Sequence, residues 1–272
     1  MDIERISAFS IGETGGNPAG VVVCDAHPDA TEMARIAAEV GYSETAFAAK
    51  SGDAWRVRYF SPASEVPFCG HATIALGAAL GGRFGAGSYD LILNDAWISV
   101  EAMESGSAAL TSPPTSQPAL DPELVREARR IFDIADDDLH ADLPVARISA
   151  GADMLLIPLA SRERLARLDY DQAAGKALLD AHGIVGAYFV HPAAERRFDV
   201  RMAFPTGGVF EDPATGAAAA AFSGWLRDSG RLSGEIEIMQ GEDMGAPSRI
   251  IALSTPEIGA SIRVEGATRR LE

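Results

Sequence analysis

The chain has 272 residues, of which 47% are hydrophobic and 23% charged, a composition that excludes a disordered or fibrous chain. At about 150 residues per domain, the length predicts two domains or one large domain. The formal net charge is −16, and lysine occurs only at Lys50 and Lys176. Such a surface repels phosphate groups, so we expect neither nucleic acid nor a membrane as partner.

The cysteines and the apolar stretches indicate a cytoplasmic protein. Cys24 and Cys69 are too few for a disulfide framework, which favours a reducing compartment. Residues 1–5 lack the charge and apolar pattern of a signal peptide. The longest apolar stretches, 72–80 and 216–226, are too short to span a bilayer.

The first half of the chain alternates short strands with turns. Strands are predicted over 4–9, 19–24, 45–49, 55–60, 89–93 and 97–101, with a Gly-rich loop over 12–20. A helix over 31–40 is predicted to begin near Thr31 and to end before Gly41. Its apolar face consists of Met33, Ile36, Ala37 and Val40.

The second half begins after a proline-rich segment. Four prolines within 111–122 mark a candidate domain crossing. Asp121 and Pro122 are then typical of the N-cap and first residue of a helix over 121–132. Strands near 145–149, 153–158, 186–190 and 198–203 and a helix over 171–182 follow, so the fold class is α/β (α+β).

An internal similarity relates the two halves. Val57-Arg58-Tyr59-Phe60-Ser61-Pro62 resembles Val200-Arg201-Met202-Ala203-Phe204-Pro205 at an offset of 143, which pairs Cys69 with Asp212 and Gly70 with Pro213. An Ala-rich run follows in each half and predicts a helix buried on all sides. We infer two similar domains, 1–112 with 259–272, and 113–258.

The start of each buried helix is a candidate anion site. First-turn N–H groups lack intrahelical partners, and the helix dipole is positive there. Each helix start contributes about 0.3–1 kcal/mol to binding a carboxylate when exposed, and up to about 2 kcal/mol when partly buried. An acidic protein could bind a small carboxylate substrate in this way.

Four motifs occur in order along the chain. They are Gly16-Asn17-Pro18-Ala19-Gly20-Val21, Ser43-Glu44-Thr45-Ala46-Phe47, Pro67-Phe68-Cys69-Gly70-His71-Ala72-Thr73 and Glu211-Asp212-Pro213-Ala214-Thr215-Gly216. Together they resemble the PhzF-like (phenazine biosynthesis protein) family over essentially the whole chain. The resemblance implies a diaminopimelate epimerase-like fold, in which two similar domains each wrap a mixed sheet around a central buried helix.

The resemblance also implies an activity. The founding activity of the family is the isomerisation of a dihydro-hydroxyanthranilate, in which a proton moves from one carbon to another in a site between the two domains. Known members are usually homodimers and need no cofactor or metal. We therefore expect a cofactor-free isomerase acting on a small anionic substrate.

The family's functional residues carry over by motif. Glu44 matches the general acid/base, and His71 and Asp212 match groups that assist proton transfer. A desolvated carboxylate suits a group that takes and returns one proton. The helix dipole favours a neutral His71 imidazole, and Asp212 before Pro213 also has the pattern of an N-cap. The predicted substrate-binding residues are Asn17, Pro18, Cys69, Gly70, Ala72, Thr215, Gly216 and Ala217.

Two departures from the family pattern leave alternatives open. Ala217 stands where the family motif continues with serine, so one hydroxyl contact is missing and a dihydro-hydroxyanthranilate substrate does not follow from the motif. Cys69-Gly70 resembles true epimerases, but Asp212-Pro213, its partner at the offset, carries no thiol. The alternatives are an amino-acid epimerase or racemase, and a ligand-binding homologue without catalysis.

Other clusters predict little chemistry. Cys69 and His71, two residues apart, rarely have nucleophile–base geometry. Cys24 is predicted to be a buried, inert thiol, and residues 136–138 a solvated acidic turn. No metal site is predicted, because the remaining histidines lack ligand spacing; they are His27, His140, His182 and His191.

Overall fold

The computed structural model describes residues 2–94 and 96–272, which form two compact units. Unit 1 comprises the chain up to Thr111 together with Glu265–Glu272, and unit 2 comprises Ser112–Val264. The chain therefore passes from unit 1 to unit 2 at the start of the proline-rich segment.

The second crossing differs from the predicted one. Residues 259–264, which are predicted to belong to the first domain, lie in unit 2. Hydrogen bonds within unit 2 explain this. Ser112 N–H donates to the carbonyl of Ile262 at 2.8 Å, Thr115 N–H donates to the carbonyl of Gly259 at 3.0 Å, and Gly259 N–H donates to Asp228 at 3.2 Å.

Unit 1 contains one mixed sheet. Its strands are β1 (Glu4–Ala8), β2 (Asn17–Cys24), β3 (Thr45–Ser51), β4 (Ala54–Phe60), β5 (Glu65–Val66), β6 (Gly87–Ile92), β7 (Trp97–Ala102), β8 (Ala108–Thr111) and β17 (Thr268–Arg270). The order is β17-β1-β2-β3-β4-β6-β7-β8, with the short β5 also on β4; the pairs β2–β3 and β4–β6 are parallel.

Two helices pack on this sheet. α1 (Ala30–Val40) is amphipathic and buries the four predicted apolar residues. It begins at Ala30, one residue before the predicted start, and is capped by Asp29, whose carboxylate accepts from Glu32 N–H at 2.9 Å. α2 (Gly70–Phe84) is the buried central helix and packs against β2, β7 and β8.

Unit 2 repeats this plan. Its strands are β9 (Ala146–Ser149), β10 (Asp153–Pro158), β11 (Gly186–Ala194), β12 (Arg197–Ala203), β13 (Glu211–Asp212), β14 (Glu235–Gln240) and β15 (Ser248–Ser254). The strand β16 (Ile262–Gly266) begins in unit 2 and ends in unit 1. The order β9-β10-β11-β12-β14-β15, with β13 on β12 and parallel pairs β10–β11 and β12–β14, matches β1-β2-β3-β4-β6-β7 in unit 1. The fold class of two similar α/β units is thus confirmed.

The helices of unit 2 lie on both faces of its sheet. They are α3 (Pro122–Ile131), α4 (Arg162–Ala166), α5 (Gln172–Ala181) and α6 (Gly216–Asp228). The Asp121 cap of α3 is confirmed, since its carboxylate accepts from Glu123 N–H at 2.9 Å. α6 is buried over most of its length, as α2 is. Among the described residues, no helix combines the length and apolar content that a bilayer crossing requires.

The two units correct the predicted residue equivalence. Glu65 pairs with Phe60, and Glu211 pairs with Ala203, at the same ladder position in each unit. The second connection is three residues longer, so the offset rises from 143 to 146. Gly70 therefore matches Gly216, since each is the first residue of its central helix, and the N-caps Cys69 and Thr215 match each other. The predicted pairing of Cys69 with Asp212 is wrong.

Candidate active site

The backbone of Glu44 is held at the entry to β3. Gly20 N–H on β2 donates to the Glu44 carbonyl at 3.1 Å. The strands approach so closely that a Cβ at Gly20 would lie 2.6 Å from Thr45 Oγ1, which only glycine avoids. Gly20 therefore fixes the position of the backbone that carries the Glu44 side chain.

The start of α2 is held by buried hydroxyl groups. Cys69 is its N-cap, with extended backbone and no capping bond from its side chain. Thr73 Oγ1 donates to the Cys69 carbonyl at 2.7 Å, and Tyr59 Oη lies 2.6 Å from Thr73 Oγ1. Burial raises the pKa of Tyr59, so its hydroxyl stays protonated and donates to Thr73. These bonds fix the position of the first turn of α2, whose N–H groups have no intrahelical partner.

His71 connects a carboxylate with a thiol at this helix start. Its Nε2 lies 3.4 Å from Glu44 Oε2 and 3.3 Å from Ser43 Oγ, and its Nδ1 lies 3.3 Å from Cys69 Sγ. The side chains of His71 and Glu44 are 7% and 17% exposed. The expectation that Cys69 and His71 would be badly placed for each other is therefore wrong, because the extended N-cap turns Sγ toward the ring.

The same three side chains are the group that could hold a metal ion in the described part of the chain. Glu44, Cys69 and His71 offer donor atoms within 4.8 Å of one another, of types that zinc accepts. The thiol lies 3.3 Å from Nδ1 and 3.9 Å from Nε2 of His71, and the carboxylate lies 3.4 Å from Nε2. Nε2 is therefore the ring nitrogen close to both other groups, and the contact with the carboxylate also allows proton transfer between Glu44 and His71.

A second polar cluster lies before α6 in unit 2. Thr215 Oγ1 makes a short hydrogen bond to Asp212 Oδ2. Gln240, at the end of β14, accepts from Thr215 N–H at 3.1 Å and donates to the Asp212 carbonyl at 2.7 Å and to Thr215 Oγ1 at 3.0 Å. Asp212 belongs to β13, and Thr215 is the N-cap, so the predicted N-cap role of Asp212 is wrong.

The remaining predicted site residues lie at the start of β2 and in the first turns of α2 and α6. Asn17 and Pro18 are the first residues of β2, where they pair with Ala8 and Ser7, so the predicted loop over 12–20 ends earlier. Asn17 is buried and Pro18 half-buried. Ala72 is fully buried in the first turn of α2. Gly216 and Ala217 occupy the first turn of α6, buried and half-buried respectively.

The ladder registers show that the two clusters occupy different positions of the shared fold. Glu44 and His71 of unit 1 correspond to Gly186 and Ala217 of unit 2. In the opposite direction, Asp212, Thr215 and Gln240 of unit 2 correspond to Val66, Cys69 and Leu93 of unit 1. At the positions of each cluster, one unit has polar side chains and the other unit has small or mostly apolar side chains.

Sequence reasoning missed several of these contacts. Ser43 stands next to Glu44 in its motif, but only the fold brings its hydroxyl to His71. The sequence around Gln240 carries a signal for a buried polar contact. Gln240 follows Ile236 and Ile238 on the buried face of an alternating strand, and a polar residue on such a face needs a partner.

Comparison with known proteins supports an isomerase. The family model of phenazine biosynthesis-like proteins matches residues 6–268. An uncharacterized isomerase of Deinococcus radiodurans is 33% identical over 261 residues, covering 90% of this chain and 84% of its own. The trans-2,3-dihydro-3-hydroxyanthranilate isomerase of Pseudomonas chlororaphis is 32% identical over 269 residues, covering 96% of this chain and 92% of its own.

A solved structure agrees at the level of the fold. The Bacillus anthracis phenazine biosynthesis protein of the PhzF family superimposes with a TM-score of 0.86 at 22% identity, covering 100% of this chain and 98% of that one. The predicted diaminopimelate epimerase-like fold is thereby confirmed. Because the family model spans nearly the whole chain and the relatives are named isomerases, the chain belongs to the phenazine biosynthesis-like (PhzF) family of isomerases.

Proposed function

We propose that this protein moves a proton between two carbons of a small, unsaturated carboxylate, with Glu44 as the general acid/base. The observation that carries the proposal is the 3.4 Å contact between Glu44 Oε2 and His71 Nε2 at the start of a buried helix. A carboxylate in this position is shielded from bulk water yet keeps a polar partner. It can therefore accept a proton and return it without leaving the site.

The proposed reaction conserves all atoms. Glu44 takes the proton as one C–H bond breaks, and the electron pair enters the π system conjugated with the substrate carboxylate. Glu44 then delivers a proton, which exchanges with solvent while it is on the carboxyl group, to another carbon; a C–H bond forms there and the double bond shifts. The first-turn amides of α2, beginning with Gly70, stabilise the negative charge that develops on the substrate.

His71 and Asp212 complete the proposal. His71 orients the Glu44 carboxylate and offers it a hydrogen-bond partner in both protonation states. Asp212, held by Thr215, binds a polar group of the same substrate, with help from Asn17, Pro18, Cys69, Ala72, Gly216 and Ala217. The relative from Pseudomonas chlororaphis acts on trans-2,3-dihydro-3-hydroxyanthranilate, so a small cyclic carboxylate of this kind is the first candidate.

Proton exchange in D2O tests the proposal. The wild-type protein is incubated with trans-2,3-dihydro-3-hydroxyanthranilate and a panel of unsaturated carboxylates, and deuterium at carbon is followed by NMR. We expect Glu44→Gln to slow incorporation about 10²-fold or more. Glu39→Gln, which removes an exposed carboxylate of α1, is the control and should leave the rate unchanged. Equal rates in Glu44→Gln and wild type would exclude Glu44 as the base.

An epimerase or racemase is a second candidate, favoured by the 3.3 Å contact between Cys69 Sγ and His71 Nδ1. An imidazole at this distance can activate a thiol as a base. A symmetric two-thiol mechanism is disfavoured, since the equivalent N-cap of unit 2 is Thr215. Under this alternative Cys69→Ala abolishes exchange, whereas under the isomerase proposal Cys69→Ala retains most of it.

A ligand-binding homologue without catalysis makes a different prediction. Carboxylates would stabilise the protein, by about 2.7 kcal/mol at 100 times the Kd, while the wild type catalysed no exchange with any of them. Assembly as a homodimer is a further part of the proposal, and sedimentation as a monomer would contradict it.

A further inference from the structure

The side chain of Gln240 is fully buried and directed at the loop that carries Asp212. It is the last residue of β14, in the interior of the unit 2 sheet between β12 and β15. It makes the three hydrogen bonds to Asp212 and Thr215 described above. A buried amide costs free energy unless it is satisfied, and here each bond goes to the segment just before α6.

These bonds have defined directions. Thr215 N–H can only donate, so it must face the Gln240 carbonyl oxygen, and this orients the amide. Nε2 therefore donates to the Asp212 carbonyl and to Thr215 Oγ1. Because Thr215 Oγ1 accepts from Gln240, its single proton is directed to Asp212 Oδ2. The bonds from Gln240 Nε2 to Thr215 Oγ1 and from Thr215 Oγ1 to Asp212 Oδ2 therefore point in one direction, and the carboxylate oxygen is the final acceptor.

The duplicated unit forms the same segment without this chain of bonds. In unit 1 the same strand–loop–helix segment is built with Leu93 at the position of Gln240 and Val66 at the position of Asp212. The start of the helix in unit 1 has a different bond, which Thr73 Oγ1 donates to the carbonyl of the N-cap Cys69. The amide and the carboxylate thus occur together in one unit, and both are replaced by aliphatic residues in the other.

We propose that Gln240 is a positioning residue that, through Thr215, holds the Asp212 carboxylate in a single orientation as a hydrogen-bond acceptor for the substrate. The acceptor role rests on the proposed function. The orientation itself does not, since it follows from hydrogen bonds within unit 2. A substrate group that suits this acceptor is an O–H or N–H donor.

The orientation of Asp212 can be measured without substrate. In the full-length protein with labelled aspartate, three-bond couplings report the χ1 angle of Asp212. We expect a single rotamer in the wild type and rotamer averaging in Gln240→Met, which keeps the side-chain length but removes the hydrogen bonds. Thr215→Val, close in shape to threonine, should give the same averaging. Gln117→Met, at an exposed position, is the matched control and should leave the couplings unchanged.

The outcomes separate positioning from stability. A lower melting temperature in Gln240→Met with the Asp212 rotamer retained in both variants would overturn the proposal, because Gln240 would then be merely structural. If Gln240→Met does not fold, Thr215→Val alone decides. Failure of the Glu44→Gln exchange test would leave these couplings unaffected, so the two proposals fail independently.

Discussion

Arg201 and Glu211 form a two-point ion pair inside unit 2, and Arg58 and Glu65 form its duplicate in unit 1. The Nε–Oε1 and Nη2–Oε2 distances are 2.9 and 2.5 Å in the first pair and 2.8 and 2.6 Å in the second. Both pairs link a long strand to the short strand before the central helix. Their burial differs, with exposures of 8% and 3% against 23% and 27%.

This difference predicts unequal costs for the same substitution. Arg201→Met leaves Glu211 as an unpaired buried charge and should lower the free energy of unfolding by about 3–5 kcal/mol. Arg58→Met leaves Glu65 partly hydrated and should cost about 1 kcal/mol or less. Urea unfolding of the two variants provides the comparison. Equal losses would contradict the assignment of burial as the cause.

The Glu65 pair also predicts a pH dependence. The hydrogen bond from Arg58 lowers the pKa of the Glu65 carboxyl to about 2. Because the folded pKa lies below the unfolded one, the stabilisation is complete above about pH 5 and is lost as the pH falls toward 2. The free energy of unfolding of wild type minus that of Glu65→Gln should therefore be constant, at about 0.5–1 kcal/mol, above pH 5. It should shrink below that pH, and a difference that grew on acidification would contradict the prediction.

The elements that could be predicted from the sequence have strong local signals. The helix beginning at Pro122 follows an Asp-Pro cap, and α1 has four apolar residues at helical spacing. The position of Asp212 could not be predicted, because it depends on a connection three residues longer than its duplicate. Apolar patterns do not indicate the length of such a connection. A constant offset of 143 therefore aligns Asp212 with Cys69.

Only part of the candidate site could be predicted from the sequence, because its contacts depend on how distant segments pack. Glu44 and His71 stand out in their motifs, but their 3.4 Å contact depends on how α2 packs against the sheet. The contact of Cys69 with His71 arises because Cys69 is an extended N-cap, so helical spacing does not describe the pair. Gln240 comes from a strand far along the chain, and its partners are defined only by the parallel pairing of β12 with β14.

Close packing of α2 gives a third prediction. A Cβ at Gly77 would lie 2.5 Å from Val100 Cγ2 and 3.1 Å from Ala108 Cβ. Gly77→Ala should therefore destabilise the protein by about 1–3 kcal/mol through overpacking, despite the better helix propensity of alanine. Thermal unfolding at constant pH measures the change.

Gly82 of the same helix is the matched control. There a Cβ would meet only the flexible tip of Arg270, at 2.7 Å, and the position is exposed. Gly82→Ala should be neutral or should stabilise the protein by up to about 1 kcal/mol. Equal destabilisation by both substitutions would show that contact with Val100 and Ala108 is not the cause of the loss at Gly77.

His71 gives the last prediction, which concerns the reaction. The imidazole contacts Glu44 on one side and Cys69 on the other, so its removal disturbs the proposed base without removing the carboxylate. We expect His71→Gln to lower kcat about 10²-fold and to change KM less, because the first-turn amides of α2 that bind the substrate remain. His140→Gln, in unit 2 and outside the proposed site, is the control. An unchanged kcat with a raised KM would instead make His71 a binding residue, and proton transfer would then depend on Glu44 without its imidazole partner.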